Sequence, residues 1–575
     1  MTEPATGERS ARDGAGASGS DASGSGGSDA GKKEREKIVG RAGVVGAGTL
    51  LSRVLGFGRD AVIAALFTRR ETDAFWVALT IPNALRQLLA EGAVSSAVVP
   101  VLSERLTKGG DDAGRRFFAR ARGVSLAALV VVTVFGIVFA RELTWLFASG
   151  YADAATDGAA TAGGAAAAGG AASDKLELTA SLTRVMFPYI LFMGTAALGM
   201  AALNAKRRFA VAAFAPALFS VGIVVAAFLL RGPLAERGVD PSMALAIGVL
   251  AGGVLQVVAQ VPALRKIGYV SRPVFDLRDP HVREMLRRIV PMTFGLGVYY
   301  VDLVLSRRFL SELGEGAQSW FSWASRLCDL PQGIFVMALS SATLPSLATF
   351  AAKGETDELV ATWAHGMRLA MFVAIPCSVA LVVLGEPLVV LLFERGHFDA
   401  ESSHQTARAL AWQGGAIFTV AATRQLVPAF HALGDTRTPV VVSAIDLVAF
   451  IALALALRGP LGHVGISVAV AGSSAVQMLL LLYGLRKRVG ALRGGELASS
   501  AARVVAASAI AGIASGALAH VLTGAVPGAF GRALPGVASA TLFGVLFLLA
   551  AWGLGARELG EVAGPIRRRL RRRRR

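Results

Sequence analysis

The stretch Gly48-Thr-Leu-Leu-Ser52-Arg53-Val-Leu-Gly56-Phe57-Gly58-Arg59-Asp60-Ala-Val-Ile-Ala-Ala-Leu-Phe67 is apolar enough to enter a bilayer, yet it carries Arg53, Arg59 and Asp60 in its middle. A charged side chain at the bilayer centre costs roughly 2.5–3.5 kcal/mol on insertion scales, so such groups face a polar cavity or a partner. The next apolar run adds Asp73, Arg86 and Glu91. Left uncompensated, Arg53, Arg59 and Arg86 would cost on the order of 8–10 kcal/mol by the same scale. Anionic groups, from the protein or from a ligand, must answer them. The pattern points to a membrane protein that handles a negatively charged ligand.

The rest of the chain supports the membrane assignment. Of 575 residues, 54% are apolar and 17% charged, and the mean hydropathy is +0.56. A bilayer's hydrocarbon core takes about 20 apolar residues per helix, and runs of that length recur between residues 38 and 556. They predict spans at 39–68, 72–103, 121–149, 178–204, 208–230, 242–264, 285–308, 318–350, 364–393, 405–432, 438–457, 463–484, 499–523 and 535–556. Pro and Gly inside several of them predict tilted or broken helices. Cys328 and Cys377 both fall in spans, which excludes a disulfide framework or a CxxC metal site.

The net charge of +18 sits in alternate loops rather than on one face, which argues against nucleic-acid binding. Loops 104–122, 205–208, 265–288 and 485–493 are rich in Lys and Arg; the intervening loops hold at most two basic residues each. Basic loops stay on the cytoplasmic side, so both termini are expected there, in the bacterial cytoplasmic membrane. Residues 1–36 are Gly/Ser/Ala/Asp-rich and read as a disordered tail. The Ala/Gly run at 150–175 reads as a flexible extracytoplasmic insertion, and Arg567–Arg575 as a polybasic tail attracted to anionic headgroups.

An internal repeat is visible. Ser95-Ser96-Ala97-Val-Val-Pro100-Val-Leu102 parallels Ser340-Ser341-Ala342-Thr-Leu-Pro345-Ser-Leu347 at an offset of 245, Arg231-Gly-Pro-Leu234 parallels Arg458-Gly-Pro-Leu461 at 227, and Gln256 parallels Gln477 at 221. The drop between the first two offsets is what the 150–175 insertion would cause. An even number of helices per repeat makes the units parallel. The expected fold is therefore an all-α polytopic membrane protein of about 14 transmembrane helices, two parallel six-helix lobes plus two extra C-terminal helices. Its divisions are a tail over 1–36, an N-lobe over 37–268, a C-lobe over 269–490, spans 13 and 14 within 491–556, and a basic tail over 557–575. Such paired lobes suit alternating access around a site between them.

Sequence blocks then carry a resemblance. They are Ser52-Arg53-Val-Leu-Gly56-Phe57-Gly-Arg59-Asp60, Thr72-Asp73-Ala-Phe75, Pro82-Asn83-Ala-Leu-Arg86, Ala90-Glu91-Gly92-Ala93, Leu203-Asn204-Ala205, Phe214-Ala215-Pro216, Phe393-Glu394-Arg395-Gly396-His-Phe398 and Gly434-Asp435-Thr436-Arg437-Thr438-Pro439. Through them the chain, from Thr49 to about Leu485, resembles the MurJ/MviN family of lipid II flippases, within the multidrug/oligosaccharidyl-lipid/polysaccharide exporter superfamily. The resemblance implies flipping of the undecaprenyl-pyrophosphate-linked peptidoglycan precursor, lipid II, from the cytoplasmic to the outer leaflet. It implies a central headgroup site formed by Arg53, Arg59, Asp60, Asp73, Arg86 and Arg326, and a lipid-tail groove at spans 13 and 14. Membrane lipids and cell-wall synthesis proteins are the further partners to expect.

Arginine suits that chemistry, because its fixed fork binds phosphate oxygens bidentately and stays protonated. Asp73 and Glu91 fit better as groups that position arginines, and Arg326 has Asp329 three residues away as a local partner. Asp302 and Asp446 are isolated carboxylates in apolar runs and form a candidate cation site. No GxxxxGK[ST] loop is present and the histidines lack metal-ligand spacing. The chain is thus expected to be no enzyme and to hold no cofactor or metal, with transport coupled to membrane potential or a monovalent cation. A multidrug exporter of the same superfamily and a non-transporting cell-wall scaffold are the alternatives.

Overall fold

The computed structural model describes residues 48–87, 92–152, 165–206, 208–295, 297–333, 337–524 and 528–561. The tail over 1–36, Glu91, residues 153–164 of the Ala/Gly insertion and the terminal arginine run lie outside them. Residues 165–175 of that insertion, expected as a flexible segment, are helical because alanine favours helix. The described residues form, in order, α1 (48–66), α2 (Arg69–Arg86), α3 (Gly92–Val138), α4 (Ala140–Phe147), α5 (Ala165–Met186), α6 (Tyr189–Ala205) and α7 (Phe209–Phe214). There follow α8 (Ala217–Glu236), α9 (Met243–Lys266), α10 (Pro280–Gly295), α11 (Gly297–Ser311), α12 (Ala317–Pro331), α13 (Met337–Lys353) and α14 (Thr356–Val383). The series ends with α15 (Gly385–Phe393), α16 (Ala400–Gly415), α17 (Ile417–Ala432), α18 (Arg437–Leu461), α19 (His463–Val489), α20 (Gly494–Leu522) and α21 (Gly528–Gly553). Among the described residues nine helical stretches are long and apolar enough to cross a membrane.

Other expected spans are broken, as their Pro and Gly content foretold. Segment 72–103 is described as helix up to Gln87 and as α3 from Gly92, and 318–350 as helix up to Gly333 and as α13 from Met337, with 88–91 and 334–336 outside the described residues. The α5–α6 junction lies at Phe187-Pro188 and the α7–α8 junction at Ala215-Pro216, where a ring without an N–H interrupts the helical ladder. The described helix bounds recur at the repeat spacing: α2 and α12 end 245 residues apart, and α3 and α13 begin 245 apart. The interruptions at Phe139 and Leu384 are also 245 apart. Gly110 (φ 68°) kinks α3, and Gly354 (φ 73°), 244 residues on, separates α13 from α14. Both use backbone conformations that a side chain would strain.

Close helix approach depends on small residues. A Cβ on Gly222 of α8 would come within 2.5 Å of the Gly252 nitrogen on α9. The extra C-terminal pair, α20 and α21, packs on itself and against α14 and α15, burying Val504, Ala507, Ala511, Phe543 and Phe547. A separate cluster joins α1, α2, α12 and α15 through Ile63, Phe75, Trp76, Trp323 and Phe393. The Trp76 and Trp323 rings meet edge to face at 5.1 Å, and Trp323 packs on Phe393 at 5.1 Å.

Candidate substrate-binding site

The charges of α1 sit on a helix that runs unbroken through Gly56 and Gly58. Arg53, Arg59 and Asp60 line a central cavity of about 350 Å³, joined by Arg86 from α2 and by Arg326 and Asp329 from α12. Four guanidinium groups thus face two carboxylates, and they come from segments more than 200 residues apart. The floor is polar too, with Asn83, Gln87, Ser220 and Gln256.

Asp60, 3% exposed, organises the arginines. It accepts hydrogen bonds from Arg59 Nε at 2.8 Å and Nη2 at 2.5 Å, and Arg326 Nε stands 3.8 Å from its other oxygen. Arg326 therefore reaches across to α1 rather than closing on Asp329 of its own helix, and its guanidinium lies over the Trp76 ring at 5.1 Å. Arg59 lies over Phe219 at 5.7 Å. Arg53 donates from Nη1 to the Asp329 carbonyl at 3.2 Å. It fits only because residue 333 is glycine: a Cβ there would come within 2.0 Å of its Nη2. Arg86 Nε donates to Asn83 Oδ1 at 3.0 Å.

Asp73, grouped by the sequence with these residues, does not line the cavity. It is fully buried near the other end of α2, as the fifth residue of the helix, where it accepts from Gly316 N at 2.7 Å, Ser319 N at 2.9 Å and Ser319 Oγ at 2.6 Å. It thereby caps α12, whose first N–H groups lack intrahelical partners. Its cation is Lys175, at 2.9 Å, rather than an arginine. The reason for the displacement is depth: α2 begins at Arg69, so Asp73 lies about three turns of helix from Arg86.

Asp73 belongs to a set of bonds that seals this end of the molecule. Arg69 Nη2 donates to Asp399 Oδ2 at 2.5 Å and its Nε to Ser402 Oγ at 3.1 Å. The His397 amide donates to the Ala65 carbonyl at 3.0 Å. The Arg69 hydrogen bond holds the Asp399 carboxyl down at about 2. Together with the Trp76–Trp323–Phe393 stack, these contacts close the path from the cavity toward residues 67–73.

Asp302 on α11 and Asp446 on α18 lie on helices that pack together, and each is half-buried. Asp446 stands close enough for its charge to act on Asp302. Asp446 Oδ1 is buried without a hydrogen-bond partner. No group of three His, Cys, Asp or Glu residues suited to a metal ion is found among the described residues. A second cavity, of about 850 Å³, lies between α14–α15 and α20–α21, lined by Val383, Pro387 and Val390 but also by Glu394 and Arg532.

Sequence reasoning passed over Gln256 as a site residue. It is 1% exposed, both of its amide atoms lack partners, and it lines the central cavity. A lone amide within the apolar run Gly253-Val-Leu-Gln256-Val-Val was the available signal. Trp76, which carries Arg326, gave no sequence signal beyond an apolar position.

The sequence model of the family described as lipid II flippase MurJ matches residues 62–533. The lipid II flippase MurJ of Burkholderia cenocepacia is 36% identical over 446 residues, covering 76% of this chain and 82% of its own. The probable lipid II flippase MurJ of Bdellovibrio bacteriovorus is 32% identical over 479 residues, covering 83% and 87%. Among solved structures, a lipid II flippase MurJ in an inward closed conformation superposes with a TM-score of 0.68 at 20% identity, over 89% of this chain and 99% of that one. An inward-facing multidrug resistance MATE family transporter of the MOP superfamily gives 0.60 at 14% identity, over 77% and 96%. These two share the fold. On the family match and the extent of the sequence identity, this polytopic α-helical membrane chain belongs to the lipid II flippase MurJ family.

Proposed function

We propose that this protein flips lipid II from the cytoplasmic to the outer leaflet of the bacterial cytoplasmic membrane by alternating access, supplying cell-wall synthesis. One observation carries the reading: arginines from two distant segments converge on one cavity, with Asp60 holding Arg59 and Arg326. A pyrophosphate bears more charge than one carboxylate, so it competes with Asp60 for these forks. The Lys/Arg-rich loops support an orientation with both termini in the cytoplasm; in it the cavity faces the cytoplasmic half and the Asp73 and Arg69 bonds seal the outer end. The recurring helix breaks support lobes over 37–268 and 269–490, with the polyprenyl tail running beside α20 and α21.

The protein works as a transporter without catalytic chemistry or cofactor, and a cationic-drug exporter would be poorly served by a chamber with surplus positive charge. Asp302 and Asp446 form the candidate site for a coupling monovalent cation; flipping by Asp302→Asn and Asp446→Asn that keeps the wild-type sodium and proton dependence would remove that role. Cell-wall synthesis proteins are partners to expect at the membrane surface, and anionic lipids at the basic C-terminal tail.

The experiment is complementation of flippase-depleted cells with Arg53→Ala, Arg59→Ala and Arg326→Ala, alongside an assay of lipid II exposure in the outer leaflet. Each variant is expected at normal abundance with lipid II retained inside. Normal growth and normal exposure in all three would overturn the anion-binding assignment.

A further inference from the structure

A smaller chamber apart from the central cavity, walled mostly by apolar side chains such as Phe118, Val257, Val261 and Leu264, holds two polar groups, Arg122 and Gln260. The linker 267–279, between α9 and α10, is strapped along α3: the Val274 amide donates to the Ala119 carbonyl at 3.0 Å, and Arg122 Nη1 donates to the Ser271 carbonyl at 3.1 Å. Neighbouring Arg120 has its charge answered by Asp276, at 3.3 Å, and by Asp279. Arg122 has no ion pair among the described residues, and its Nε is buried without a partner.

Arg122 lines a chamber of about 50 Å³ together with Thr195, Gly199 and Gln260. Gln260 is 1% exposed, and neither of its amide atoms has a partner. Room for it depends on Gly199, where a Cβ would come within 2.4 Å of its Oε1. The chamber exceeds the minimum of about 10–15 Å³ that a single water needs, so a small polar group can enter it. A guanidinium bonded only to the Ser271 carbonyl, with its Nε unpaired, beside an unpartnered amide suits an anion that also accepts hydrogen bonds.

The surroundings identify its source. Val270, which lines the chamber, is 46% exposed, and Val274 and Phe275 on the same linker are 47% and 63% exposed. Val258 on adjacent α9 is 57% exposed. Arg265, Lys266 and Arg272 flank these side chains. Exposed apolar groups among basic residues at the end of membrane helices suit the headgroup layer of an anionic membrane. We propose that this chamber binds the phosphate of an anionic phospholipid, with Arg122 and Gln260 as ligands and the acyl chains lying along Val258, Val270 and Phe275.

The test titrates purified full-length protein with dioleoyl phosphatidylglycerol and counts retained lipids by native mass spectrometry, with dioleoyl phosphatidylcholine and inorganic phosphate in parallel. Phosphatidylglycerol bound elsewhere, as at the basic tail, is common to wild type and variants. Wild type is expected to hold one tightly bound phosphatidylglycerol that Arg122→Gln and Gln260→Leu each weaken by about tenfold or more, with no such difference for phosphatidylcholine. Equal retention by wild type and both variants overturns the site. Arg122-dependent binding of inorganic phosphate without preference for phosphatidylglycerol overturns the lipid as its occupant. Gln260→Leu removes only an unpartnered amide, so it carries the test should Arg122→Gln fail to fold; its melting in phosphatidylcholine reports folding.

Discussion

Replacing Asp73 by Asn should open the sealed end of this molecule. The substitution keeps the side chain's shape but removes the charge that accepts from Gly316 N, Ser319 N and Ser319 Oγ on α12. Lys175 shares the same carboxylate but comes from α5, beside α2, so its bond does not span the seal. The three bonds to α12 do. An amide oxygen retains some of them at neutral strength, while its NH₂ faces donors. Hydrogen bonds to charged groups contribute about 1.5–3 kcal/mol, and losing one such increment shifts the closed-to-open ratio by roughly 10- to 150-fold. The readout is the distance between spin labels at Arg70 and Glu401, on either side of the seal, with Cys328 and Cys377 replaced by Ala. A distribution broadened toward longer distances is expected in Asp73→Asn, with wild-type abundance. An unchanged distribution would show that the Arg69 and His397 bonds and the aromatic stack hold the end closed without Asp73, and the reasoning from α12 capping would fail.

Arg59→Lys keeps the charge but loses the fork that grips Asp60 through Nε and Nη2; loss of one charge-assisted bond, about 1.5–3 kcal/mol, should slow lipid II exposure about tenfold or more, and wild-type rates would refute it. Gln256→Leu removes a buried amide with no partners, so melting should hold or rise while flipping falls; unimpaired flipping would separate this residue from the headgroup. The Arg69–Asp399 bond predicts a pH dependence: with the Asp399 carboxyl held at about 2 against an ordinary value of about 4, its contribution is complete above pH 4 and is lost as pH falls toward 2. The spin-label distance followed from pH 7 to 3 checks this, and Asp399→Asn should abolish that component.

Much of this protein was readable before any coordinates. Apolar run length and alternating basic loops depend on the bilayer alone; the described helices fall on the runs so marked but several extend past them, α3 continuing through the basic loop 104–122 and α5 starting at Ala165. Interruptions followed from local chemistry, as Pro188 and Pro216 cannot continue a ladder and Gly110 and Gly354 accept positive φ. The arginines at 53, 59 and 86 announced themselves because charge in hydrocarbon demands an answer wherever it falls. The identity of that answer was not local. From sequence, Asp329 was as good a partner for Arg326 as any, whereas the packing of α12 against α2 directs that guanidinium to Asp60. Asp73 shows the converse: an acidic residue in an apolar run looked like part of the site, and the starting point of its helix put it at the opposite end, capping α12. Gln256 and Gln260 had no visible role until their amides were found buried and unanswered. A side chain's demand for a partner is written in its chemistry, but which partner arrives depends on helix depth and rotation, and only the packing of distant segments sets those.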